Sequence, residues 1–476
     1  MTLLPTDAEI TDQPPSLRER ASEFLLGRIN YERAANLPYN KRHMKLDRMR
    51  QLLTRLGNPD AGMPIVHVAG TKGKGSTSTM VAGILQAAGY KTGLFSSPHL
   101  EAIEERFQVN AVPCPGEQLF ALVEKLRPIV EEMDREAAAE GSLGLTYFEL
   151  ATAIALMHFS EEKVDIAVLE VGLGGRLDST NVCQPAVTVI TSISLDHTKQ
   201  LGSTVEEIAA EKAGIIKPGV PVLCGPMEPG PRQVIAEIAR QHGSRMIEAG
   251  RDFQFTYHPP YKFDKHDRLG SLDFEGDLGS EDVSLTDIPL RMLGTHQAAN
   301  AALAIATVAQ LRKQGWRISS DAICQTFTEL TLPGRIELIR RRPAVVLDVA
   351  HNVAAVEALV EVLATSFSCT HRTLVLAATR DKDVSGIVRV LVPHFDRVIV
   401  TQYQDNPRAV ATEKLGKIVQ AELVRQKLVD RTVIECPMPV DAWQLARKGA
   451  RVDQLVCITG SFFVVAELRS VLRADA

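Results

Sequence analysis

The feature that most limits what this chain can fold into is the run His67-Val68-Ala69-Gly70-Thr71-Lys72-Gly73-Lys74-Gly75-Ser76-Thr77. It follows a short β-like stretch, Pro64 to Ala69, and precedes a helix-like segment from Ser76 to Ala88. Glycines let the backbone turn tightly and bring N–H groups close to an anion. A helix N-terminus adds the positive end of its dipole. Lys74 then reaches the outer phosphates of a nucleotide. A surface turn of glycine and lysine is the plain alternative, but the strand–loop–helix setting is the one phosphate binding requires. The run departs from G-x-x-x-x-G-K-[ST]. The leading glycine would fall at Val68, and Gly75 takes the usual hydroxyl position. A Mg²⁺-binding hydroxyl is therefore missing directly after the lysine. Ser76, one residue on, or groups from elsewhere must hold the metal.

The surrounding pattern fits an α/β protein. β-like runs Lys91–Phe95, Val164–Val171 and Ala186–Ile190 alternate with helical stretches Glu117–Ala139, Thr146–Phe159 and Val205–Ile215. That alternation predicts a mostly parallel sheet. Residues 17–57 read as helical, and residues 1–16 as a polar, mobile tail. Residues 250–290, rich in Asp and Gly, read as short antiparallel strands or an inserted loop. A helix from Thr295 to Gln314 follows. After Leu332-Pro333-Gly334-Arg335 the pattern restarts. Strand-like runs Ala344–Val349, Thr373–Ala377, Arg397–Val400, Thr432–Cys436 and Gln454–Ile458 alternate with helices. We expect an ATP-binding unit over 17–331, a linker over 332–336, and a smaller Rossmann-like unit over 337–476.

Composition narrows the function classes. The 476 residues carry a formal net charge of -5, and aromatics are 5%. No global basic field or stacking platform exists for nucleic acid. The seven cysteines are widely spaced without a C-x-x-C, which reads as reduced thiols. No run approaches the roughly 18 apolar residues of a membrane span, and the first residues lack a signal-peptide pattern. The expectation is a cytoplasmic protein, monomeric by default, without nucleic-acid or membrane partners.

Further candidate ligands lie at strand ends, where open α/β sheets place them. They are Ser97 in Ser96-Ser97-Pro98-His99, Glu170 ahead of Gly172-Leu173-Gly174-Gly175-Arg176, and His197 in Asp196-His197. Hard oxygen ligands suit Mg²⁺, and an imidazole is a less usual addition. Each has a plain alternative: a turn cap, a surface carboxylate, a core histidine. Lys212, in Ala209-Ala210-Glu211-Lys212-Ala213-Gly214, reads by periodicity as a lysine facing a helix C-terminus.

Taken in order, these segments resemble the folylpolyglutamate synthase/dihydrofolate synthase family, a branch of the Mur-ligase-like ATP-dependent amide ligases. The resemblance runs from Ile29-Asn30-Tyr31-Glu32 to Gly460-Ser461-Phe462. Besides the phosphate loop it rests on Ser96–Leu100, Thr146-Tyr147-Phe148-Glu149, Glu170–Asn181, Leu195-Asp196-His197-Thr198, Glu211–Pro218, Gly294–Asn300, Leu332–Arg335 and Asp348-Val349-Ala350-His351-Asn352. It implies an N-terminal P-loop ATPase domain, a C-terminal Rossmann-like α/β domain and an active site between them. By that resemblance Gly70, Thr71, Lys72, Gly73, Lys74, Gly75, Ser76 and Thr77 cradle the triphosphate. Ser97, Glu170 and His197 hold Mg²⁺, one or two ions in all. Lys212 matches a lysine that CO₂ carbamylates, giving a carboxylate for a second metal. Asn300, Arg335, Asp348 and His351 hold the nucleotide. Lys74, His197 and Lys212 carry the transfer. The implied reaction uses ATP to phosphorylate a folate carboxylate and L-glutamate to capture the acyl phosphate. The acceptor is a reduced folate, dihydropteroate, or both. The nearest rival is a cell-wall-precursor amino-acid ligase of the same superfamily, which usually puts a hydroxyl residue directly after the lysine. A non-catalytic nucleotide-binding module is the rival from another class, and it leaves Glu170, His197 and Lys212 without a joint role.

Three departures from the family pattern stand out. Lys72 replaces the usual Asn of Gly-Thr-Asn-Gly-Lys-Gly-Ser, and either tightens ATP or points to solvent. The segment Asn36–His43 looks longer than the usual connection. Val353 follows His351-Asn352 where the family often has Pro.

Overall fold

A computed structural model describes residues 16–30, 46–278, 282–404, 406–428 and 430–475. The Asn36–His43 segment and nearly all of the 1–16 tail lie outside these residues. Among the described residues of the expected 17–57 helical unit are two helices, α1 (Leu17–Leu26) and α2 (Leu46–Arg55), and Gly27 caps the first.

The first sheet has eight strands: β1 (Ile65–Ala69), β2 (Thr92–Phe95), β3 (Phe107–Val109), β4 (Val112–Pro113), β5 (Ile166–Glu170), β6 (Val187–Ile190), β7 (Val222–Cys224) and β8 (Met246–Glu248). Their order is β4-β3-β2-β5-β1-β6-β7-β8. Six strands are parallel, and β3 and β4 form an antiparallel edge. Helices α3 (Lys74–Ala87), α4 (Gly116–Ala139), α5 (Tyr147–Glu161), α6 (Thr198–Leu201), α7 (Val205–Ala213), α8 (Pro229–Gln241), α9 (Thr295–Lys313) and α10 (Ser320–Glu329) complete this half. Strands β1, β5 and β6 are buried along their whole length. Both faces are covered, which is why their sequences run apolar without alternation. On one face Met80, Ile84 and Leu85 of α3 and Leu303 of α9 pack on Val66, Val68 and Val168. On the other, Leu52, Leu126 and Ile154 from α2, α4 and α5 pack with Ile65, Ala167 and Leu169. Successive strand residues thus serve opposite cores.

Residues 250–290 are not an inserted loop. They form β9 (Phe253–His258), β10 (Gly270–Asp277) and β11 (Asp282–Leu290), a three-stranded antiparallel sheet. Phe253, Leu272, Phe274 and Ile288 join the core around α9, so the segment is part of the body. Its Phe263 N–H donates to Ser366 O at 2.7 Å, tying it to the second half.

The third sheet contains β12 (Glu337–Arg341), β13 (Ala344–Leu347), β14 (Arg372–Leu376), β15 (Arg397–Val400), β16 (Thr432–Glu435) and β17 (Leu455–Thr459), in the order β12-β13-β17-β14-β15-β16. Only β12 is antiparallel. Helices α11 (Val353–Ser366), α12 (Val384–Leu391) and α13 (Thr412–Arg425) cover one face, and α14 (Pro439–Lys448) and α15 (Phe462–Ala474) the other. The α/β class with a mostly parallel first sheet and a smaller Rossmann-like unit agrees with the sequence expectation. The carboxyl ends of β1, β5 and β6 and of β13 and β14 carry the loops described next, as open parallel sheets require.

Candidate active site between two parallel sheets

The phosphate loop leaves β1 at Gly70 and becomes α3 at Lys74. Two positions here favour glycine, by their positive φ and by their close neighbours. A Cβ on Gly70 (φ 150) would lie 1.9 Å from Thr191 Oγ1, and one on Gly73 (φ 83) 2.3 Å from Asn300 Oδ1. The loop is stapled to the segment after β6. Thr71 N–H donates to Ser192 O at 2.7 Å, Lys72 N–H to Ser192 Oγ at 3.0 Å, and Thr191 Oγ1 donates to Lys72 O at 2.6 Å. Asn300 on α9, expected to hold the nucleotide, thus lies against the phosphate loop. Ser76 and Thr77 are buried in the first turn of α3, and Thr77 Oγ1 has no hydrogen-bond partner.

Two lysines converge on one carbonyl. Lys74 Nζ donates to Gly70 O at 3.2 Å, and Lys212 Nζ donates to the same oxygen at 2.9 Å. Lys212 is in the last turn of α7 but buried, so it does not simply face the helix end into water. Burial, with the nearby ammonium of Lys74, pushes its pKa from 10.5 down to about 7. A large part of Lys212 is therefore a neutral amine at neutral pH, the form that can attack CO₂.

Glu170 ends β5 at the foot of the loop. It is buried, and its Oε2 accepts Ser97 N–H at 3.1 Å. Burial pushes its pKa up, opposed by Lys74 and the Ser97 hydrogen bond. A Cβ on Gly75 would sit 3.4 Å from Glu170 Oε2. The space of the missing loop hydroxyl is thus the space beside Glu170. A buried carboxylate facing a phosphate loop calls for a cation, and these oxygen donors fit Mg²⁺. Among the described residues no three His, Cys, Asp or Glu side chains form a ready-made metal cluster. That suits Mg²⁺, which is usually bound through one or two carboxylates plus substrate phosphates and water. His197, the third expected ligand, lies within electrostatic reach of Asp196, Lys74 and Lys212. It is exposed, with left-handed backbone (φ 51), at the start of α6.

The turn after Glu170 is held from beneath. Asp178 Oδ2 accepts Gly172 N–H at 3.1 Å and Leu173 N–H at 3.0 Å. Thr180 Oγ1 donates to Asp178 Oδ1 at 2.5 Å and lies 2.8 Å from Nε2 of buried His67. Burial drives the His67 pKa down to about 3, so the ring is neutral.

The second sheet contributes Asp348 and His351 after β13. Asp348 is buried, and its carboxylate accepts Ile336 N–H at 2.9 Å and Ala350 N–H at 2.8 Å. Burial raises its pKa to about 6, opposed mainly by Arg335. His351 Nδ1 is 2.8 Å from Val349 O, which fixes that nitrogen as the donor. Arg335 is exposed on the linker.

Lys72, the departure from the family loop, is half-exposed and has a partner that neither expectation named. Its Nζ forms an ion pair with Asp196 Oδ2 at 2.6 Å. Sequence reasoning missed this partnership, and with it Lys382, whose Nζ is 3.9 Å from Asp196 Oδ1. The Arg380-Asp381-Lys382-Asp383 cluster just beyond β14 was the available signal. The Arg106–His99 pair, with Arg106 Nε donating to His99 Nδ1 at 2.7 Å, was also missed.

Comparison with known proteins decides among the ligases. The Mur ligase middle domain matches residues 68–308, and the Mur ligase glutamate ligase domain matches residues 334–462. The chain is 36% identical over 430 residues to the dihydrofolate synthase/folylpolyglutamate synthase of Bacillus subtilis, covering 90% of this chain and 95% of that protein. The chain belongs to the folylpolyglutamate synthase/dihydrofolate synthase family. Among solved structures of that family, Mycobacterium tuberculosis folylpolyglutamate synthase complexed with ADP and AMPPCP superposes with a TM-score of 0.83 at 31% identity, covering 96% of this chain and 98% of that one. Escherichia coli FolC in complex with DHPP and ADP gives 0.78 at 30% identity, covering 97% and 100%. Family membership removes the cell-wall-precursor ligase as the leading rival. It also leaves the non-catalytic module without support.

Proposed function

We propose that this chain is an ATP-dependent ligase that joins L-glutamate to a folate carboxylate, acting as a folylpolyglutamate synthase and also as a dihydrofolate synthase. The observation that carries the reading is the convergence of Lys74 and Lys212 on Gly70 O beside the buried Glu170–Ser97 pair. Relatives along most of the chain are named for both activities.

A carboxylate is a poor electrophile, so phosphorylation must first supply a leaving group. Attack of a carboxylate on triphosphate brings anions together. Gly70 to Thr77 receive the phosphates with backbone N–H groups and the α3 N-terminus. Lys74 gives up its carbonyl partner for phosphate oxygens and offsets the charge. Ser97, Glu170 and His197 would hold Mg²⁺, and a carbamate on Lys212 would hold a second ion; the metal's contribution is charge neutralisation of the phosphates. Asn300, Arg335, Asp348 and His351 hold the nucleotide from the hinge and the second unit. The glutamate amine then attacks the acyl phosphate, phosphate leaves, and an amide forms. Closure of the unit over 337–476 on that over 17–331, about the 332–336 linker, excludes water from the acyl phosphate.

We further infer a cytoplasmic monomer with small-molecule substrates alone. No helix among the described residues is long and apolar enough to cross a membrane. The test is turnover of purified protein with ATP, Mg²⁺ and L-glutamate, offering dihydropteroate and tetrahydrofolate separately. Glutamate-dependent ADP release with each acceptor is expected. ADP release with neither would refute the assignment.

A further inference from the structure

Asp196 is the carboxylate around which the cations from both halves of the molecule gather. Its Oδ2 is 2.6 Å from Lys72 Nζ, and its Oδ1 is 3.9 Å from Lys382 Nζ and accepts His197 N–H at 3.0 Å. Lys72 comes from the phosphate loop. Lys382 comes from the second half, in the turn after β14, immediately before Asp383, which caps α12 by accepting Gly386 N–H at 2.9 Å. The acids beside Lys382 in sequence are engaged elsewhere: Asp381 lies 3.7 Å from Arg408, and Asp383 caps its helix. Lys74 and Lys212 stand on Gly70 O in the same cleft. Four lysine side chains thus gather at a loop built for an anion, and Asp196 pairs with two of them.

Such a pair is easily broken. The Lys72 side chain is 42% exposed and that of Lys382 27%, so water competes with Asp196 for both ammonium groups. A triphosphate carries more charge than one carboxylate and takes charge-assisted hydrogen bonds from several donors. It therefore competes well for both lysines.

We propose that Asp196 holds Lys72 and Lys382 in competition with polyphosphate, and that both transfer to the polyphosphate on binding, Lys382 being the cation that the second half delivers to the transferred phosphoryl group. This rests on the ligase reading above. In the step concerned, a carboxylate oxygen of the acceptor forms a bond to the γ-phosphorus. The bond from that phosphorus to the β,γ-bridging oxygen breaks, and ADP leaves with the electron pair. No proton moves. Negative charge builds on the bridging and equatorial oxygens, and an ammonium from the closing half stabilises it only when closure is complete. The departure at Lys72 then has a purpose. It adds to this chain's loop a cation that would, without Asp196, crowd Lys74.

The test separates this competition from simple domain docking. Lys382→Met should lower kcat at least tenfold and weaken binding of a non-hydrolysable ATP analogue, with ADP affinity within twofold of wild type. Lys382→Arg should restore most of kcat. Asp196→Asn should bind ADP at least threefold more tightly in EDTA, because the competing carboxylate is gone. If Lys382→Met keeps kcat within twofold, or Asp196→Asn binds ADP no better than wild type, the proposal fails. A kcat loss that arginine does not restore, with a lowered melting temperature in both variants, would assign the pair to domain docking and also overturn it. The ADP measurement needs no turnover, so it decides the role of Asp196 even if wild-type protein makes no glutamyl product, the result that would refute the ligase reading instead.

Discussion

Replacing Lys212 with methionine should make the protein more stable near neutral pH while abolishing turnover. Lys212 is 4% exposed, and burial together with Lys74 lowers its pKa from 10.5 to about 7. The folded state therefore binds fewer protons than the unfolded state between those values, and stability rises with pH across that window. Each pH unit is worth about 1.4 kcal/mol, so the lysine costs the fold roughly 4–5 kcal/mol at and below neutral pH. Methionine keeps the length and apolar stem without the charge. The carbonyl it abandons, Gly70 O, is still reached by Lys74 at 3.2 Å, so the orphaned-acceptor penalty is small. We expect the variant to exceed wild type by roughly 2–4 kcal/mol at about pH 7, after allowing for the lost hydrogen bond. The advantage should shrink steadily as pH rises toward about 10. Urea denaturation of both proteins in CO₂-free buffers, at several pH values, measures the difference. A difference that does not change with pH, or a methionine variant less stable at neutral pH, would refute the argument.

The same physics supports the remaining predictions. Lys212→Ala should lose activity that short carboxylates added to the assay partly restore, as a carbamate would require; wild-type-like activity would return Lys212 to a structural role. Lys74→Ala should abolish turnover and leave the circular dichroism spectrum unchanged, since its half-buried side chain donates within its own loop, to Gly70 O. Gly73→Ala should weaken nucleotide binding by at least about tenfold, because left-handed backbone costs roughly 1–2 kcal/mol and the new methyl meets Asn300; calorimetric titration with ADP would show it.

Much of the fold was legible because the patterns were local. The strands at 65–69, 92–95, 166–170 and 187–190 lie within the β-like runs, as buried parallel strands need continuous apolar residues. The 250–290 segment was ambiguous because its Asp and Gly mask alternation. Phe253, Leu272 and Phe274 face the core only once β9 and β10 are paired. In the site, the phosphate loop, Glu170 and Ser97 could be read from motif order. The ion pair of Lys72 with Asp196 could not, because 124 residues separate them and only the parallel neighbourhood of β1 and β6 brings them together. Lys382 was hidden for the same reason, since its partner sits on the other half of the molecule. Lys212 looked like a helix-end lysine because periodicity places it in the last turn of α7 but says nothing of what covers it.

The central claim is that this cleft makes an amide between a folate carboxylate and glutamate. Mass spectrometry of the product tests it most directly, with ATP, Mg²⁺, L-glutamate and either dihydropteroate or tetrahydrofolate. The account predicts that each acceptor gains the mass of a glutamyl residue, with one ADP released per residue added. ADP release without that mass gain, or an unchanged acceptor in both reactions, would contradict it.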